Sequence, residues 1–129
     1  MVNIISEVNK YVTAKTSGLP SIVQNTFMYQ TPDELMCRTE PSAVAQRMLD
    51  GSYTGELQFA YYSKSKNMQT AENRLQLVAN TLDHAEIVID DRLFINVELV
   101  SLPSYVQKTE TGEHIFTSSY RLEYLNRRP

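Results

Sequence analysis

Two hydrophobic periods share this chain. Apolar residues recur every three to four positions in two stretches, and every second position in three others. A helix buries one stripe of its 3.6-residue turn, whereas a strand buries alternate residues, so a chain carrying both patterns must lay helices against a sheet. The first helical stripe is Ile4, Ile5, Val8, Tyr11 and Val12, with Asn3, Glu7 and Lys10 on other faces. Gly18 can take a left-handed cap after it, and Pro20 forbids its continuation. The second stripe is Met68, Ala71, Leu75, Val78, Ala79 and Leu82, opposed by Glu72, Asn73, Gln76 and Asn80 and ending near Asp83 and His84.

Alternation marks the strands. Tyr53, Leu57, Phe59 and Tyr61 predict one buried face over residues 53–63; Leu93, Ile95, Val97 and Leu99 another over 93–100; Phe116, Tyr120, Leu122 and Tyr124 a third over 114–125. Residues 21–29 and 35–39 read as shorter extended segments. Residues 42–49 carry helix formers yet meet Ser52, Tyr53, Thr54 and Gly55 at once, and lean towards strand or irregular structure. Residues 63–67 read as a polar turn. Asp90, Asp91 and Arg92 read as a tight connection from a strand over 86–89, and residues 109–112 as another turn. Pro103 is expected to interrupt the strand that Tyr105 and Val106 resume. The expectation is an α+β fold, a mixed and mainly antiparallel sheet of about five to seven strands packed by two α-helices, in a single domain over residues 1–129. Val8, Tyr11, Val12, Leu75, Val78 and Leu82 are its predicted core.

Composition removes several classes of function. With 42% hydrophobic and 21% charged residues the chain has the balance of a globular protein. It holds no apolar run near the ~18 residues of a membrane span, and residues 1–15 mix Asn, Ser and Glu with their apolar residues unlike a signal peptide. A cytosolic protein without membrane contact, or one assembled there, is expected. Cys37 is the sole cysteine, so no internal disulfide can form, and it reads as a half-buried strand thiol. A formal charge of −3 and no Lys/Arg grouping above two argue against a nucleic-acid face. Lys64 with Lys66 reads as part of a solvated turn, and Arg127 with Arg128 as a chain end.

Catalysis needs a nucleophile, a base or a metal in a constrained site, and none emerges. His84 has Asp83 and Glu86 nearby, but a histidine at a helix C-terminus is explained by the helix dipole. His114 opens a strand and reads as exposed. Asp90 and Asp91 are adjacent and solvate a turn. No phosphate-binding glycine motif and no nucleophile elbow occurs. The reading is a non-enzyme without metal or cofactor.

Eight tyrosines and no tryptophan are the compositional oddity, and tyrosine is enriched at protein contacts. Tyr61, Tyr62, Tyr105 and Tyr124 are the candidates for a subunit contact. Residues 102–114 are mostly polar between Pro103 and Gly112, and are expected to form a protruding hairpin or loop with Tyr105 and Val106 as its apolar anchor.

Three stretches carry a family likeness: the amphipathic helix ending in Ser17, Gly18, Leu19 and Pro20; the strand over 57–65 running directly into the helix over 71–82; and the segment 106–117 leading into Tyr120, Arg121, Leu122, Glu123 and Tyr124. In these the chain resembles the phage minor capsid protein family, similar to the tail terminator proteins of long-tailed bacteriophages. The resemblance implies a structural virion protein at the head–tail interface. It would be a homo-oligomer, a hexameric ring that caps the tail tube, meets tail tube protein and head–tail connector proteins, and lets DNA pass without sequence-specific binding. It carries over no catalytic residue. Another head–tail joining component, a stopper or adaptor, and a small cytosolic enzyme remain the alternatives.

Overall fold

The computed structural model describes residues 4–24, 33–40, 46–47, 49 and 51–127, with side chains left aside at 22–24 and 46–47. In chain order the elements are α1 (Ile4–Lys15), β1 (Ile22–Gln24), β2 (Glu34–Glu40), β3 (Gln46–Arg47), β4 (Tyr53–Ser65), α2 (Met68–Leu82), β5 (Glu86–Ile89), β6 (Leu93–Lys108) and β7 (His114–Asn126). The strands form one sheet in the order β1-β2-β4-β7-β6-β5, with β3 on the far end of β4. Among the described residues only β1 and β2 pair in parallel, and every other pairing is antiparallel. The molecule is therefore mixed α+β and mainly sheet, as the two periods imply. The extended reading of residues 25–29 and the readings of 41–45, 48 and 50 lie outside the described residues.

Register decides which side chains meet. Tyr61 of β4 lies opposite Cys37 of β2 and Ser118 of β7, and Phe59 lies opposite Tyr120. On that face Leu35, Cys37, Phe59, Tyr61, Phe116, Tyr120, Leu122, Leu93, Ile95 and Val97 are buried against Ile5, Val8 and Val12 of α1 and Ala71, Leu75, Val78, Ala79 and Leu82 of α2. Both helices thus cover one face with most of the stripe that their period marks; Met68, in the first turn of α2, has the period of its stripe but is exposed. Tyr11 is the exception among the predicted core residues, packing only partly buried at the rim. Asn67 caps α2 by accepting a 3.1 Å hydrogen bond from the Thr70 amide. Gly18 has φ 82° after α1, the left-handed region its missing side chain permits.

Three expectations need correction. Residues 63–65 are not a turn: β4 continues to Ser65, which pairs with His114, and Ser63, Lys64 and Ser65 are all buried. Alternation failed as a guide because these polar residues are covered on both faces. Tyr53 has the parity of the buried face but lies at the strand's end beyond the helices, and is exposed. Pro103 does not break its strand. The 16 residues of β6 run beside the 13 of β7, and register shifts between Leu99 and Ser101, Ser101 and Ser104, and Tyr105 and Gln107 absorb the surplus. Pro103 sits in the second of these irregularities, on an outer strand, where a missing N–H costs no ladder bond. At the other end of β6 the Asp90–Asp91 connection behaves as expected. Both residues have positive φ (52° and 57°) and the Arg92 amide bonds back to the Ile89 carbonyl at 3.0 Å, closing a three-residue connection flanked by the Ile89–Leu93 pair.

Candidate subunit-contact surface

β5 pairs with β6 only as far as Asn96, and the Val97 amide adds one bond to the Ala85 carbonyl. From Glu98 to Lys108 the outer side of β6 has no strand neighbour among the described residues. Val100, Leu102, Tyr105 and Val106, four of the large hydrophobics exposed among the described residues, lie on this stretch. Scattered exposed apolar residues need no explanation, but four on one unpaired edge form a surface that a partner chain can cover.

Tyr105 and Val106 are each 46% exposed. Tyr105 is held in place: its ring meets Phe116 edge-on at 5.3 Å between centroids, and its hydroxyl lies 3.3 Å from Nδ1 of His114. An aromatic fixed by one edge and open on the other is suited to anchoring a neighbour at small entropic cost. His114 is accordingly half-buried beside Tyr105 and not simply exposed. Val106 falls in the third irregularity, between Tyr105 and Gln107. The segment 102–114 does not protrude as an arm, because β7 pairs with β4 all the way to Ser65 and His114. Only the turn over residues 109–113 extends past the sheet. The candidate contact surface is an edge with a turn at its end.

The other tyrosines fare differently. Tyr61 is wholly buried in the core and cannot touch a neighbouring subunit. Its ring lies against Phe59 and Tyr120, and its hydroxyl donates to Oδ1 of Asn9 on α1. Tyr62, one residue on, points to the opposite face and is half-buried, as is Tyr124. The sequence could have separated them, since adjacent strand residues face opposite ways and Tyr61 shares the parity of Phe59.

Tyr61 instead belongs to a polar seam inside the core. Cys37 lies against both Tyr61 and Asn9, fully buried where half-burial was expected, and burial pushes its thiol up to about 12 despite those hydrogen bonds. Burial likewise holds the Tyr61 and Tyr120 hydroxyls above their ordinary range. A thiol so far from ionisation is no nucleophile. Ser118 and Tyr120 complete the seam with a 2.8 Å hydrogen bond. Asn9 gave no signal in the sequence, because a single Asn on a helix reads as solvated.

The opposite face of the sheet carries charge. Arg121 lies between Glu98 at 2.8 Å and Glu56 at 3.6 Å, a ladder across β6, β7 and β4 that holds its guanidinium above its ordinary range. Lys64, read as part of a solvated turn, is almost fully buried 3.7 Å from Glu34. His84 is exposed at the end of α2, 3.7 Å from Asp83, and Asp90 and Asp91 are exposed in their turn. Among the described residues no three of His, Cys, Asp and Glu lie close enough to hold a metal ion. Nor is any described helix long and apolar enough to cross a membrane.

What the fold and surface define is a small α+β protein whose most conspicuous surface is an unpaired, partly apolar sheet edge. No protein-family model and no curated protein matches the chain.

Proposed function

We propose that this chain is a tail-terminator-like structural protein, a subunit of a hexameric ring that caps a phage tail tube and joins it to the head, making its contacts through the outer edge of β6. The supporting observation is that edge, unpaired from Glu98 to Lys108 among the described residues and carrying Val100, Leu102, Tyr105 and Val106 exposed. The likeness of its sequence stretches to the minor capsid and tail terminator proteins supplies the ring and its partners, tail tube protein on one side and head–tail connector proteins on the other. A closed ring needs two different patches on each subunit, and the β6 edge serves as one. DNA passes through such a ring without sequence-specific contact.

The test is Tyr105→Ser with Val106→Ser. Loss of the Tyr105–Phe116 contact is worth about 0.5–1.5 kcal/mol, so the double variant should melt only slightly below the wild type. Val106→Ser alone, which breaks no such contact, is the cleaner control. Both should fail to form rings with tail tubes, as read by native mass and by cryo-microscopy of tails. Normal assembly of the double variant, or a ring of another symmetry, defeats the proposal. Density for the chain at the connector and not on the tube would make it a stopper or adaptor.

A further inference from the structure

The turn over residues 109–113 is more heavily tied than its exposure suggests. The Thr109 amide donates to the Glu113 carbonyl at 2.8 Å, and the Gly112 amide to the Thr109 carbonyl at 3.1 Å. The Glu113 amide donates to the Thr109 hydroxyl at 3.0 Å, and that hydroxyl donates to Oε2 of Glu113 at 2.6 Å. The Thr111 hydroxyl donates to the same oxygen. One carboxylate oxygen thus gathers two hydroxyls within its own turn, and the side chain is buried. Gly112 closes the loop with φ 95°.

Behind the turn stand other charges. Lys64 of β4 lies near enough to attract the Glu113 carboxylate, and is itself paired with Glu34 of β2. Both Lys64 and Glu34 are buried, so neither charge is easily replaced by water. The other titratable groups around the turn are Lys108 at the end of β6, paired in register with His114 at the start of β7, and Glu110, exposed in the turn.

We propose that the ionised carboxylate of Glu113 is the fastener of this turn, and that its protonation loosens the end of the β6 edge without disturbing the core. The hydroxyl hydrogen bonds, first, and Lys64 hold its pKa below the ordinary 4.5. A depressed carboxylate contributes order that is fully present above its unfolded value and is lost as pH falls through its folded value. The edge should therefore stay ordered at neutral pH and loosen only in acid. Its bearing on assembly rests on the contact reading above; the fastening itself does not.

The experiment is amide exchange by NMR on the intact chain, corrected for intrinsic rates, from pH 6 down to 3. In the wild type the amides of Thr109, Gly112 and Glu113 should lose protection with a midpoint below 4.5, while those of Leu75 and Val78 keep theirs. Glu113→Ala should speed exchange at the three turn amides about tenfold or more at pH 6. Glu113→Gln keeps an acceptor oxygen without the charge and should fall between, since charge-assisted hydrogen bonds are roughly twice as strong as neutral ones. Protection in Glu113→Ala within about twofold of wild type overturns the proposal. A Gln variant matching wild type overturns the role of the charge. Adding an assembly readout separates the two readings. If the turn loosens in Glu113→Ala and rings still form, the fastener stands and its bearing on assembly fails; if the turn holds and rings are lost, the fastener fails.

Discussion

Leu75→Ala tests the facing of α2 at its centre. Leu75 is wholly buried, between Ala71 and Val78–Ala79 on the stripe that meets β4, β6 and β7. Truncation removes about three methyl or methylene groups, and at ~0.8 kcal/mol each the transfer loss is about 2.4 kcal/mol. The surrounding rigid side chains cannot close the space fully, so a cavity cost raises the total into the range of ~2–5 kcal/mol. Leu77, two residues on, is 46% exposed on the same helix, and Leu77→Ala should stay within about 0.5 kcal/mol of wild type. The pair share a residue type and a helix and differ only in facing, so helix propensity cannot produce the contrast. Urea melts analysed with a common slope give both values. A Leu75→Ala loss below half a kcal/mol, or equal losses at the two sites, would refute the facing.

Two further predictions concern β4 and the polar seam. A side chain at Gly55 would begin 2.5 Å from the Tyr124 hydroxyl and 2.6 Å from its ring, so Gly55→Ala must displace Tyr124 and should cost about 1–3 kcal/mol, a loss that Tyr124→Ala in the same chain should largely relieve in a double-mutant cycle. Alkaline stability should report Cys37: its thiol rises from 9.0 unfolded to about 12 folded, so the stabilisation is complete below pH 9 and drains away as pH climbs towards 12. That difference corresponds to about 4 kcal/mol. Urea melts from pH 8.5 to 11.5 should fall more steeply for wild type than for Cys37→Ala, and equal slopes would remove the thiol from the core.

Wherever one face of an element meets the core and the other meets water, the sequence is readable. That condition holds for α2, for the first half of β6 and for the centre of β7, and there period alone identifies both element and facing. It fails at residues 63–65. Ser63 and Ser65 turn towards the helices, Lys64 turns the other way into burial beside Glu34, and a polar run that is covered on both faces imitates a turn. It fails again at Pro103, because the cost of proline in a strand depends on whether a neighbour needs its N–H, and β6 has lost β5 by that point. The exposure of the candidate contact residues is half legible. The exposure of Tyr105 and Val106 follows from an apolar pair in a polar segment, whereas the burial of Tyr61 follows from the alternation it shares with Phe59. The Glu113 clasp left no trace, since Thr-Glu-Thr-Gly-Glu spells an ordinary turn until the backbone folds the carboxylate onto the two hydroxyls.

The irregularities of β6 bear on how its edge can be used. A flat, regular edge strand with exposed valines and leucines would pair with any strand it met, its own copy first. Three shifts of register and one proline interrupt the regular spacing of outward N–H and C=O groups between Leu99 and Gln107. Indiscriminate strand addition is thereby discouraged. The same shifts break the strict alternation of side chains along the strand and leave Val100 and Val106 exposed as the surplus residues of two bulges, with Tyr105 steadied by Phe116 beside the second. An edge built this way favours a partner that matches side chains over one that merely supplies backbone hydrogen bonds. That selectivity suits the ring proposed above, in which copies would meet through a matched surface and not through open strand addition.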